Sequence, residues 1–176
     1  MSSAEPARQS PDLSFLPALV REPRRPLLTI LVCWLMAIGG ALLIAAIVRT
    51  IVTDAESPDF SWLIGKGFIT VFVLAIATPL IETLILAGTT SILLRFVKPQ
   101  YAILISSLGW ALAHSNNTRV WGLVIFWPFI IFTTLYVVWK QRSLVWGIAM
   151  PWAVHGMQNL FPAIAIGYPG LFPVQA

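Results

Sequence analysis

The chain has 176 residues, of which 58% are hydrophobic and only 10% charged, with a mean hydropathy of +0.84. A water-soluble domain of this size needs more charge to cover its surface, so composition excludes an ordinary globular protein and points to one whose outer surface is lipid. The net charge of +4 is no sign of nucleic-acid binding, because the basic residues stand in short clusters beside apolar runs, the pattern of membrane topology signals.

Residues 1–26 form a polar, proline-rich arm that carries Arg8, Arg21, Arg24 and Arg25. The apolar run after it, Leu27 to Val48, has the length of a spanning helix, about 20 residues. It is too long for the core of a signal peptide and lacks a small-residue cleavage site, so it reads as a retained transmembrane helix. Cys33, the single cysteine, lies inside it; no internal disulfide or cysteine metal cluster is available, and the residue reads as packing. Arg49 to Asp59 contains Asp54, Glu56, Pro58 and Asp59 and reads as an extramembrane loop.

Trp62 to Val97 is one run of 36 residues. As a straight helix it would be ~54 Å long, against a hydrocarbon core of ~30 Å. An interfacial or tilted lead-in from Trp62 is therefore expected, with room for a short helix or re-entrant piece before Pro79, then a span from about Ile76 to Phe96. Lys98-Pro99-Gln100 reads as a turn, Tyr101 to Ser115 as a third span and Asn116 to Arg119 as a polar turn. Val120 to Trp139, containing Pro128, is the fourth span, and Lys140 to Ser143 the next turn. Leu144 to Ile164, containing Pro151, is the fifth, and the tail from Gly167 is expected at the surface. The fold class is thus all-α: a polytopic transmembrane helical bundle of about five spans, with an arm at 1–26, a helical domain at 27–166 and a short tail at 167–176.

Positive charge orients such a bundle. With the N-terminus in the cytoplasm, eight basic residues fall inside (Arg8, Arg21, Arg24, Arg25, Arg95, Lys98, Lys140, Arg142) and three outside (Arg49, Lys66, Arg119). An N-in, C-out arrangement is expected, in a bacterial inner membrane. Trp62, Trp121, Trp139 and Trp146 stand near span ends and read as interfacial anchors.

Few ionisable residues fall within the spans. Glu82 is the only acidic one, and His114 and His155 are the only histidines of the chain. Asn159 follows His155 by four residues, on the same helix face. Counted from the cytoplasmic span ends at about 1.5 Å per residue, Glu82 and His114 lie ~21 Å up, His155 ~18 Å and Asn159 ~24 Å. Four polar residues on three helices share one layer. A charged side chain at that depth is expensive in lipid, so it reads as functional by default.

These residues sit in three segments. They are Thr78-Pro79-Leu80-Ile81-Glu82-Thr83-Leu84-Ile85-Leu86-Ala87-Gly88, then Ser106-Ser107-Leu108-Gly109-Trp110-Ala111-Leu112-Ala113-His114, then Lys140-Gln141-Arg142-Ser143-Leu144-Val145-Trp146 leading to His155-Gly156-Met157-Gln158-Asn159. In order and spacing the three resemble the motifs of the CPBP family of intramembrane proteases, which includes the type II CAAX prenyl endopeptidases and the bacterial Abi-type proteins. The resemblance runs from about Ala75 to Leu160. The first motif departs from the family pattern at two places: Thr83 stands where the family has a second glutamate, and Ala87 where it has an arginine. Losing both partners of a buried charge pair is far less costly than losing one.

The resemblance implies a cofactor-free peptide hydrolase with Glu82 as general base on water. His114 would orient that water or share its proton, and His155 and Asn159 would donate hydrogen bonds to the oxyanion. The implied partners are the bilayer and a membrane-anchored protein or peptide substrate, with no nucleic acid. From residue types alone, Glu82, His114 and His155 could instead hold zinc with water as fourth ligand, although the chain has no H-E-x-x-H. A catalytically inactive scaffold and proton-coupled transport also stay open. The absence of an inverted repeat argues against transport.

Overall fold

The computed structural model describes residues 13–14, 18–52, 58–116 and 118–171. Arg8, Asp54, Glu56 and the end of the tail lie outside the described residues. Those described contain helices and no strand. Five long helices carry the architecture: α1 (Pro26–Ile51), α2 (Phe68–Leu93), α3 (Pro99–Ser115), α4 (Trp121–Trp139) and α5 (Leu144–Gly167). A single turn at Ala18–Arg21 and 3-10 turns at Ser61–Leu63 and Pro169–Leu171 complete it.

Local chemistry sets the helix starts. Pro26 and Pro99 open α1 and α3, at positions where a missing N–H costs nothing and the fixed φ helps. Ser143 caps α5, its hydroxyl accepting from the Trp146 N–H at 3.2 Å. The connections between α2, α3, α4 and α5 are short, so consecutive helices run antiparallel.

By length and composition α1, α2 and α4 can each cross a bilayer. The other two are marginal for a reason that concerns function. The 17 residues of α3 reach ~26 Å, and the apolar run of α5 is broken by His155, Gln158 and Asn159. The helices least suited to lipid carry three of the four candidate residues.

The centre of the bundle is α4, which packs against all four other long helices. Phe129, Phe132 and the continuous stretch Leu135 to Trp139 are buried, as a helix apolar on every side requires. By contrast α1 turns Leu27, Leu42 and Leu43 outward, at 82%, 64% and 63% exposure, a lipid-facing surface. Trp139 corrects the sequence reading: it is fully buried and not an interfacial anchor, because its ring packs on Trp146 in the first turn of α5. Leu13, from the polar arm, is also buried in the main core cluster.

Apolar contact alone gives little specificity among helices in lipid, so hydroxyl pairs set the register. Thr90 donates to Ser106 at 3.0 Å and ties α2 to α3. Ser91 bonds Tyr136, tying α2 to α4, and Ser107 meets Thr133 at 3.5 Å, tying α3 to α4. At the other end of the bundle, the lead-in to α2 folds onto the end of α5. Gly65 N–H donates to Ile166 O (3.0 Å) and Gly67 N–H to Gly167 O (2.9 Å). The approach is close enough that a Cβ on Gly167 would stand 2.7 Å from the Gly67 carbonyl oxygen. Thr70 seals the turn by donating to Leu63 O at 2.6 Å.

The second span begins earlier than expected. α2 is helical from Phe68, eight residues before Ile76, and runs through Pro79 without a break. The stretch Phe72–Ala77 is π-helical, and that widening lets the helix pass a proline.

Candidate active site

The site begins at this π-helical stretch. In π register the N–H of residue i donates to the carbonyl of i−5, and Thr78 N–H does so to Val73 O. The next bond in that register would join residue 79 to Leu74, but Pro79 has no N–H. A buried carbonyl without a donor is costly in lipid. Asn159 supplies the donor: its Nδ2 reaches Leu74 O at 3.1 Å. Trp152 Nε1 reaches Ile76 O at 3.1 Å. Between them, Gly156 lies so close to α2 that a Cβ there would stand 2.5 Å from Ala75 O. Residues 152, 156 and 159 share one face of α5, and that face docks on three successive carbonyls of α2. This interface fixes the start of the regular α-helical segment of α2, on which Glu82 stands one turn beyond Pro79.

Glu82 points between two imidazoles. His114 Nε2, from α3, lies 3.8 Å from Oε1, and His155 Nε2, from α5, lies 3.6 Å from Oε2. The side chains of Glu82, His114 and His155 are 18%, 23% and 8% exposed. Each carboxylate oxygen thus has its own imidazole, just beyond direct hydrogen-bond distance. At this spacing a small side-chain rotation or a bridging water completes the contact.

The backbone fixes which nitrogen of His114 faces Glu82. Its Nδ1 lies 2.9 Å from Trp110 O. A carbonyl only accepts, so Nδ1 carries hydrogen and Nε2 is the nitrogen presented to Glu82. Aromatic rings hold both imidazoles in place. Phe132 stacks on His155 at 4.6 Å, and Phe129 meets its edge at 5.7 Å. Phe129 also lies 5.5 Å from His114 and stacks on Trp110 at 4.8 Å. One phenyl ring from α4 therefore touches both histidines and the residue that orients one of them.

The structure brings Glu82, His114 and His155 together and places Asn159 differently. The Asn159 amide is engaged with the Leu74 carbonyl and not with the Glu82 carboxylate. Thr83 and Ala87, the two departures in the first motif, are buried at 2% and 6% exposure. Both positions are interior, so a lone charge at either would be stranded there. Among the described residues no group of three or more His, Cys, Asp and Glu is placed to hold a metal ion.

Sequence reasoning missed Phe129 and Phe132, which nothing distinguishes within a uniformly apolar helix. It also missed Trp152 and Gly156. Pro79 inside a long apolar run was the available signal that some neighbour must satisfy a freed carbonyl.

No curated protein and no solved structure matches the chain. The family model "Type II CAAX prenyl endopeptidase Rce1-like" matches residues 64–161. That range covers more than half of the 176 residues and contains Glu82, His114, His155 and Asn159; it leaves α1 outside. With its all-helical bundle and membrane-length apolar helices, the chain is an integral membrane protein that belongs to the Rce1-like family of type II CAAX prenyl endopeptidases.

Proposed function

We propose that the protein is an intramembrane glutamic endopeptidase that hydrolyses a peptide bond of a membrane-anchored or C-terminally processed protein. The observation that carries this reading is the single carboxylate of α2 set between imidazoles from α3 and α5. Glu82 takes a proton from a water, and the water oxygen attacks the scissile carbonyl carbon. The negative charge that develops on the carbonyl oxygen is met by the His155 Nε2–H. The C–N bond breaks, and the proton passes from Glu82, shared with His114 Nε2, to the leaving amine. Low exposure limits competing water around these groups and strengthens their mutual electrostatics.

Asn159 acts here as a positioning residue. It holds the π-helical stretch that sets the start of the Glu82 segment. Its second amide hydrogen leaves it able to assist at the oxyanion as well. The joint absence of a charge at Thr83 and Ala87 is compatible with a working site, because it leaves no buried charge unpaired. In the N-in orientation set by the basic residues, the Gly67–Gly167 end faces outward and the site lies toward the outer half of a bacterial inner membrane. A membrane-anchored precursor of an exported protein then fits better than a cytoplasmic prenylated tail.

The test is cleavage of candidate membrane-anchored substrates in a membrane preparation, comparing wild type with Glu82→Gln, each with and without a chelator. Loss in the variant and indifference to chelator is the expected result, with a drop of about 10²- to 10⁴-fold, the usual worth of a general base. Cleavage that persists in Glu82→Gln removes Glu82 as the base. Cleavage abolished by chelator replaces this mechanism with a metal-dependent one.

A further inference from the structure

A groove of about 460 Å³ lies between α2 and α3. Its walls include Ile85, Thr89 and Ile92 from α2 and Ile105, Gly109 and Trp110 from α3. One end adjoins the candidate site: Ile85 is one turn from Glu82, and Trp110 is the residue whose carbonyl holds His114. The other end reaches Leu93, next to the turn that carries Arg95 and Lys98. Both of those are exposed, and among the described residues neither forms an ion pair.

The chemistry of the lining restricts the occupant. Its two hydroxyls already have protein partners. Thr89 donates to Ile85 O and Leu86 O at 3.0 and 3.1 Å, and the Ser106 oxygen accepts from Thr90 at 3.0 Å. Apart from these hydroxyls and the Trp110 indole, the lining is hydrocarbon. An extended peptide in it would leave its own N–H and C=O groups unsatisfied in lipid, which is costly. A hydrocarbon chain has no such groups. Between Ile85 and Leu93 the groove runs ~12 Å along α2, within one leaflet of a ~30 Å hydrocarbon core. The floor is open at Gly109, where a Cβ would meet nothing within 4 Å.

We infer that this groove is a binding site for an anionic phospholipid, with one acyl chain lying along α2 and α3 and the headgroup at Arg95 and Lys98. Hydrocarbon fits a lining that is mostly apolar, and the two cations at its end, unpaired among the described residues, select for negative charge. The bound chain rests on Trp110, so the lipid supports the residue that orients His114. The groove adjoins the candidate site, but lipid binding in it does not depend on the Glu82 chemistry.

The experiment uses the full chain purified in a neutral detergent and titrated with phosphatidylglycerol or phosphatidylcholine of identical acyl chains. Retained lipid is read by native mass spectrometry, alongside the thermal midpoint. The wild type is expected to retain phosphatidylglycerol several-fold better than phosphatidylcholine and to gain thermal stability from it. In Arg95→Gln/Lys98→Gln the preference disappears. Gly109→Leu, which fills the floor, reduces retention of both lipids, while Gly88→Leu does not, since Gly88 is equally open on α2 but outside the groove. Gly88→Leu thus controls for any general effect of a bulky residue on a lipid-facing helix. Equal retention of the two lipids by wild type, or unchanged retention in folded Gly109→Leu, would overturn the proposal.

Discussion

Asn159 donates its side-chain amide to the carbonyl of Leu74, the carbonyl whose π-register donor would come from residue 79, where the chain has proline. A residue expected to face the reaction also ties down the backbone of the helix that carries the carboxylate. The two roles can be separated experimentally.

Asn159→Ala leaves Leu74 O without a donor, at a cost of about 1–3 kcal/mol. Pro79→Ala restores a backbone N–H that can reach that oxygen in the same register. The penalty of Asn159→Ala is therefore expected to shrink in the Pro79→Ala background, with a coupling on the order of 1 kcal/mol in a thermal-unfolding double-mutant cycle. Turnover is expected to recover together with stability if Asn159 works by positioning. Recovered stability with turnover still depressed would return Asn159 to the oxyanion.

Gly156 tests the same interface from the other side. A Cβ at this position would stand 2.5 Å from the Ala75 carbonyl oxygen, and backbone on a packed helix cannot yield cheaply. Gly156→Ala is expected to destabilise by about 1–3 kcal/mol despite its better helix propensity, because overpacking dominates. Gly88→Ala, with open space around its Cβ, is expected to be neutral or slightly stabilising. Melting temperatures of the two variants, measured in one detergent, are the comparison.

The sequence showed much of this architecture and missed a specific part of it. Glu82, His114 and His155 were visible because ionisable groups are rare in lipid, so three at one depth stand out, and all three meet in the structure. The five helices were visible because apolar runs are bounded by polar turns, although only α1, α2 and α4 have the length and composition of a span. What stayed hidden depends on contacts between helices. Nothing in a uniformly apolar α4 marks Phe129 as the ring that touches both histidines. Trp139 looked interfacial because it ends an apolar run, yet the bundle buries it. The tie from Asn159 to Leu74 stayed hidden because sequence gives its face of α5 but not which atom of α2 that face meets.

Thr83 and Ala87 carry a prediction about charge. Both are buried, so Thr83→Glu or Ala87→Arg alone places an unpaired charge in the interior. Each is expected to destabilise by about 3–5 kcal/mol, the range seen when one partner of a buried pair is removed. The pair introduced together is expected to cost clearly less than the sum of the single changes. A double-mutant cycle on thermal unfolding measures this, and simple additivity would show that the two positions do not face one another.

Phe129 offers the sharpest separation of stability from activity. Its ring stacks on Trp110, lies beside His114, and meets the edges of Phe132 and His155. Phe129→Leu keeps an apolar side chain in the core and is expected to cost only about 1–2 kcal/mol, since hydrophobic replacements of similar size are tolerated. It removes the flat surface against which both imidazoles are set. With the chain still folded, a loss of at least about tenfold in turnover is expected, because small misplacement of reacting groups is expensive. KM is expected to change little, since the ring is 2% exposed and lies behind the histidines. Phe132→Leu, which disturbs only His155 among the two imidazoles, is expected to give a smaller loss. Equal turnover in Phe129→Leu and wild type would mean that the histidines are held by their backbone ties alone, with the Trp110 carbonyl sufficient for His114.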